Sequence, residues 1–349
     1  MPINENAPLN VVPGAIRFNT DSMKLEYYRG GPVGFGTTTT TGEWVNLVTD
    51  TPDIQTGGAR GVFAFGSTTP TGSYVNTAEY VTISTTGNSI TFGQLTGARG
   101  YGGSFASNTR GVFAAGQAGG SNQNIIDYVT ISSTGNATSF GGLVELVRYP
   151  TGFSNSTRGC LVGGLNPAAT NTIQYVTIAS TGNTINFGNA SGGTFHGGAS
   201  IASSTRGVYK RGATPDIEFV TISSLGNGAT FGTGTISSSA ASGVSNSVRG
   251  VFMGGYISGV STNTIDYITI ASLGNAVNFG QLTTARGYGA GMASATRGVF
   301  AGGLTAYPAG VNTIDYITIA SLGNAINFGS ASSAIGGSFG CSNGHGGLG

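Results

Sequence analysis

The side chains that most often do chemistry are scarce in this 349-residue chain and do not converge. Its two histidines, His196 and His345, have no cysteine or carboxylate at metal-ligand spacing, so no zinc-type set is expected. Cys160 and Cys341 each stand alone in a strand-like run and read as buried reduced thiols rather than a disulfide or metal pair. Gly34-Phe35-Gly36 and Gly287-Tyr288-Gly289 look like phosphate-cradling strings, but among 63 glycines such matches carry no information. The Ser-x-Asp-x-Gly-x-Thr-Trp box of sugar hydrolases is absent. Neither catalysis nor a cofactor is expected.

The remaining polar candidates recur. Arginines at 60, 110, 158, 206, 249 and 297 each precede a glycine, spaced 50, 48, 48, 43 and 48 apart. An acid or its amide recurs as Glu79, Asp127, Gln174, Glu218, Asp266 and Asp315. A ring of acids could hold a cation in a channel. Alternatively, one arginine–acid or arginine–backbone contact per unit holds strands or neighbouring units together. Recurrence in every unit favours the structural reading, because a binding site usually breaks symmetry.

A period near 48 residues marks stacked supersecondary units, six in number, filling the chain after about residue 58. In the stretch Leu282–Gly329, ARGYGAGMAS, RGVFAGG, NTIDYITIAS and NAINFG read as four strands. A Gly-Asn pair, as at Gly274-Asn275 and Gly323-Asn324, is expected to turn the third strand into the fourth. The third-strand aromatic and fourth-strand Phe are always twelve apart, from Tyr80 and Phe92 to Tyr316 and Phe328. Length varies almost only between strands two and three. Residues 336–341 copy strand one, which the first unit lacks, so this strand is expected to pair into the first unit and close a ring. The expected fold is all-β: a six-bladed propeller of four-stranded blades over residues 51–349, closed by the C-terminal strand.

In such a meander, loops two–three and four–one share one face, and here they differ from unit to unit while the opposite face is nearly constant. The variable loops carry Tyr74, Tyr256 and Tyr307, with Tyr101, Tyr149, Tyr288 and Phe195 near strand one. Uncharged loops bearing Tyr and Asn suit a glycan or a protein surface, and these six tyrosines are the candidate ligand-binding residues. Residues 1–50 differ in composition, holding Arg17, Asp21, Lys24, Glu26, Arg29, Glu43 and the only tryptophan, Trp44. AIRFNTDSMKLEYYRG reads as two strands around a turn and EWVNLVTD as a third, a small hairpin module that needs partners. Charged residues make up 8% of the chain and the net charge is +1, which gives no reason to expect nucleic acid. Lys210-Arg211 is the only adjacent basic pair in the propeller. No signal peptide or membrane-spanning run is evident.

The unit resembles the kelch repeat. It has an arginine near strand one (Arg99, Arg148, Arg286), a di-glycine after strand two (Gly163-Gly164, Gly254-Gly255, Gly302-Gly303), a strand-three Tyr and a strand-four aromatic. It departs by carrying Phe where kelch has Trp, by a longer Tyr-to-aromatic spacing, and by losing the di-glycine at Phe65-Gly66, Ala115-Gly116 and Arg211-Gly212. The copper-oxidase branch of kelch-like propellers would require a ligand set that two histidines do not supply. The opening PGAIRFNTDSMKLEYYRG…GEWVNL is similar to a module of bacteriophage tail-fibre and virion structural proteins, and NTIDYITIAS-type repeats look like virion proteins of cyanophage-type tailed phages. That resemblance implies a non-enzymatic virion protein of tail-fibre or receptor-binding type, assembled in the host cytoplasm. Residues 1–50 would join other virion proteins, the propeller would contact a host surface glycan or protein, and the chain could form homo-oligomers. A capsid-decoration or tail-assembly component is the alternative, and a carbohydrate-active enzyme the more distant one.

Overall fold

A computed structural model describes residues 15–19, 24–29, 43–46, 59–68, 73–193 and 195–348. The chain divides into two units, Met1–Ile54 and Gln55–Gly349. In the first, Ile16–Asn19, Lys24–Arg29 and Glu43–Asn46 form an antiparallel sheet in that order, the three strands expected. Arg17 bonds Glu26 at 2.7 Å and lies 4.2 Å from the Trp44 ring centroid, which also meets Tyr28 at 5.4 Å. The expected turn at 20–22 and the Gly/Thr loop lie outside the described residues.

The second unit is an all-β propeller of four-stranded antiparallel blades. Where six separate blades are expected, five four-stranded sheets stand alone and the last repeat lies in a seven-stranded sheet. There Ala290–Ala293, Arg297–Ala301, Ala309–Thr318 and Ile326–Gly336 keep the common strand order. The last of them, eleven residues long, runs through the linker and pairs Ile335 and Gly336 with Thr68 and Ser67 of the first repeat. In the sheet of the first repeat, Phe339–Ser342 pairs with Arg60–Ala64.

Alternation along the strands sends apolar side chains to both faces of a blade, so the core lies between blades rather than within one. One buried cluster, for example, combines Phe105, Val112 and Phe140 of the second repeat with Leu161, Val176 and Ile178 of the third. The repeated aromatics organise each such layer. Every third-strand Tyr or Phe meets its fourth-strand Phe edge-on at 5.9 to 6.1 Å between centroids. The repeated arginine caps the same ring at 4.3 to 5.0 Å. Its terminal nitrogen then donates at 2.6 to 3.2 Å to an isoleucine carbonyl of the following repeat: Arg60 to Ile131, Arg110 to Ile178, Arg158 to Ile222, Arg206 to Ile270, Arg249 to Ile319, and Arg297 to Ile83. The arginine–backbone alternative is the one the chain uses.

The Gly-Asn pairs do more than turn the chain. The glycine amide donates at 2.8 to 3.0 Å to the Phe carbonyl of the preceding outer strand, as from Gly135 to Phe92 and Gly323 to Phe279. The asparagine side chain accepts from the same strand at 2.9 to 3.1 Å. The strand residue that faces this contact is the glycine of Phe-Gly. A Cβ on Gly280 would sit 2.1 Å from the Gly323 carbonyl oxygen. Phe-Gly and Gly-Asn are two halves of one joint between blades.

The third-strand acids do not line the channel. They fasten the linker that enters their own blade. Asp127 accepts from the Thr96 amide at 3.2 Å and hydroxyl at 2.6 Å and pairs with buried Arg99 at 2.8 Å. Asp315 repeats this with Thr283 and Arg286. The expected equivalence of Arg148 with those two arginines fails, because it stands one residue closer to its tyrosine. Val147 holds the place instead, its carbonyl accepting from Gly116 as the Arg286 carbonyl accepts from Gly255. In that same repeat the acid is replaced by Gln174, whose oxygen accepts from the Val144 amide and the Thr184 hydroxyl. Where Ser238 holds the place, buried Lys210 reaches in from the preceding repeat, bonds Ser238 at 3.0 Å and compensates Asp266.

Arg99→Val should therefore cost about 3–5 kcal/mol, because it strands a buried carboxylate. Adding Asp127→Gln copies the neutral Val147–Gln174 pair and should recover most of that loss in urea unfolding.

Candidate functional site

The inner strands are glycine- and serine-rich because they approach one another closely around the channel. A Cβ on Gly243 would fall 1.9 Å from the Ser200 carbonyl oxygen. Serines bridge neighbouring inner strands: Ser154 to Ala106, Ser245 to Ala202 and Ser342 to Ala293, each at 2.7 to 2.8 Å. Within this frame lies a cavity of about 110 Å³, with a smaller one of about 60 Å³ further along.

At the mouth of the larger cavity, the backbone is tied by a circuit of hydrogen bonds between repeats. Amides of Tyr101, Tyr149, Gly197, Ala240, Tyr288 and Ser338 donate to carbonyls of Gly337, Tyr101, Tyr149, Gly197, Ala240 and Tyr288 at 2.6 to 3.1 Å. The turn holding this circuit needs positive φ, and the six residues occupying it, Tyr101, Tyr149, Gly197, Ala240, Tyr288 and Gly337, have φ between 56° and 64°. Glycine adopts that region freely and does so at 197 and 337. Three tyrosines adopt it at a cost of about 1–2 kcal/mol each. Their rings meet over the cavity, Tyr101 lying 4.9 Å from Tyr149 and 5.2 Å from Tyr288 between centroids.

The other three candidates join them. Tyr74 packs edge-on to Tyr101 at 6.3 Å, and Tyr256 meets Tyr288 at 5.6 Å. Their hydroxyls are committed, Tyr74 to Gln117 at 2.9 Å and Tyr256 to the Leu304 carbonyl at 2.6 Å, each in the next repeat. These two are staples as much as surface. Tyr307 is 80% exposed at a hairpin tip, yet its hydroxyl is near enough to act on those of Tyr74, Tyr101 and Tyr149. Burial raises the phenols of Tyr74, Tyr101, Tyr149, Tyr256 and Tyr288, the last two to about 12, so these five are neutral at ordinary pH. The structure thus gathers all six tyrosines at one mouth. Phe195 is not among them; it is buried and stacked on Tyr209 at 5.8 Å.

Two polar residues at this mouth lay outside the candidate set. His196 is exposed, with its ring 6.0 Å from Tyr149. Arg148 lies 5.6 Å from the same ring centroid. The signal that could have marked Arg148 was its displacement within the repeat, Val-Arg-Tyr where the second and sixth repeats read Arg-Gly-Tyr. Cys160 and Cys341 are separate buried thiols whose pKa burial pushes up to about 12, which leaves them unreactive. Among the described residues, no three His, Cys, Asp or Glu side chains group to hold a metal, and no helix is long and apolar enough to cross a membrane. No known family's sequence pattern matches the chain, and no curated protein is significantly similar to it.

The far end of the channel is filled by the turn Gly346–Leu348 and by His345. The His345 Nε2–H donates to the Ala106 carbonyl at 3.0 Å, while Nδ1 accepts from the Gly347 amide at 3.1 Å, so the ring is held neutral. Burial lowers its pKa from the usual 6.5, partly offset by the Ala106 bond. The unfolded chain therefore binds a proton more readily than the folded one. Stability should be fully present above about pH 6.5 and be lost as pH falls toward the folded value. Urea midpoints measured against pH should show this slope, and His345→Gln should remove most of it, with His196, shifted the same way, supplying the rest.

Proposed function

We propose that this chain is a non-enzymatic binding protein whose tyrosine-rimmed mouth engages a surface glycan or protein. Three tyrosines held at positive φ carry this reading, because two glycines occupy the same position in sister repeats without strain. Ala115, Ala213 and Ser258 also have positive φ, but among the described residues only at the mouth is that conformation carried by large aromatic side chains, and strain held at such a position is a pointer to function. The rings offer flat apolar faces and neutral hydroxyls, which suit sugar stacking and hydrogen bonding at low entropic cost.

We further read the propeller as a closed ring of six kelch-like blades, with Phe339–Ser342 as the inner strand of the first. Supporting this are the pairing of that strand with Arg60–Ala64 and the bond from Arg297 to Ile83, which repeats between last and first repeats the contact made at every other junction. A ring brings six loop pairs to one mouth, as the site requires. From the resemblance of residues 1–50 to virion modules, we read the protein as a tail-fibre or receptor-binding component of a tailed-phage particle, anchored through that module. Many copies would then convert weak contacts into firm adhesion. If the mouth only seals the channel, the protein is instead a structural decoration.

Binding of the full chain to a panel of purified bacterial surface polysaccharides distinguishes the two. Saturable binding is expected, and Tyr307→Ala, an exposed change that leaves the fold intact, should weaken it by about 2 kcal/mol, roughly 30-fold. Absence of saturable binding, or indifference to Tyr307→Ala, would move the assignment to decoration.

A further inference from the structure

Among the described residues, the arginines are spoken for, with one exception. The six repeat arginines donate to backbone carbonyls of the next repeat, Arg99 and Arg286 are buried against Asp127 and Asp315, Arg17 holds Glu26, and Arg211 holds Asp216. Arg148 alone, among the described residues, has a guanidinium with neither a carboxylate nor a carbonyl on it. Its Nε is out of solvent without an acceptor, while its backbone is fixed by exchanging hydrogen bonds with Leu165 at 3.3 and 2.9 Å. The nearest acid in sequence, Glu145, spends its two oxygens on the hydroxyls of Thr170 and Thr172 at 3.2 and 2.9 Å. At the same corner, Asn122 donates to the Leu165 carbonyl at 2.8 Å, and its own side-chain oxygen has no donor.

A half-buried cation without a counter-charge is costly, and folding could have avoided it as the second and sixth repeats do, by setting the arginine one residue earlier against an acid. Here the shift by one residue instead carries the charge to the mouth. It lies 5.6 Å from the Tyr149 ring centroid and near enough to Tyr74 and His196 to act on their ionisation. A planar fork of donors beside half-buried aromatic rings matches a carboxylate or phosphate carried on a sugar: the ring stacks and the anion takes the fork.

We propose that the mouth selects acidic glycans, with Arg148 binding the anionic group of a uronic-acid or phosphorylated sugar and the neighbouring tyrosines holding its ring. This rests on the reading of the mouth as a binding site. An acidic protein is disfavoured because the surrounding loops present tyrosines and small polar groups rather than further cations.

The test is a titration of the full chain, followed by NMR of arginine Nε–H and tyrosine ring signals, with methyl glucuronide, glucose 1-phosphate and methyl glucoside as probes. The Arg148 Nε–H signal should shift saturably with either acidic probe, and which one acts identifies the anion. It should stay still with the neutral glucoside. Arg148→Gln should weaken the acidic probe by about tenfold or more while leaving the fold unchanged, and raised salt should weaken it in the wild type. A Tyr307 response equal for acidic and neutral sugars, with Arg148 silent, would overturn the acidic selectivity and leave the binding mouth standing. Silence at both residues would overturn both.

Discussion

Each blade must present its outer strand to something other than water. A row of unpaired amides and carbonyls invites pairing with another chain, and this protein has little charge with which to repel one. The solution is the joint in which a glycine amide and an asparagine oxygen of one repeat close on the Phe-Gly of the repeat before. Its close approach requires glycine on the strand, which is why Phe-Gly recurs as a pair. The arginine that caps the aromatic stack and crosses to the next repeat works beside it. Together these contacts fix the angle at which blades follow one another, and the channel geometry depends on that angle.

The repeat was legible because its period comes from packing. The constant spacing of twelve from third-strand aromatic to outer-strand Phe keeps those rings in contact whatever the loops do. The contrast between constant and variable loops likewise showed which face to examine. What the sequence hid was which repeat each residue serves. The Gly-Asn pairs read as local turns because turns and joints use the same residues. Arg148 read as a third copy of Arg99 because a shift of one position is invisible to motif matching, though it moves a side chain from a buried pair to a half-buried place at the mouth. The merging of the last repeat into a seven-stranded sheet came from a linker that stayed extended, and Ser330-Ala331-Ser332-Ser333 gives no sign of that.

The candidate site draws its meaning from departures within this symmetry. In every repeat the place beside the linker is filled according to the charge opposite it or packed with an apolar side chain. In the third repeat Val147 fills it opposite neutral Gln174, and Arg148 stands one residue further on. The second, third and sixth repeats bring tyrosines to a position where glycine would suffice. At the mouth, aromatic side chains at positive φ and an arginine without a carboxylate stand together, and that coincidence is the basis for proposing binding there.

The account stands or falls on the ring, because an open array would not bring loops of first and last repeats to one mouth. Amide hydrogen exchange at Gly87 measures this directly, since its amide is the joint donor between the last repeat and the first, at 2.9 Å from the Phe328 carbonyl oxygen. In a closed ring Gly87 should exchange as slowly as Gly226 and Gly274, which occupy interior joints. Exchange at Gly87 orders of magnitude faster than theirs would contradict closure, and with it the single mouth.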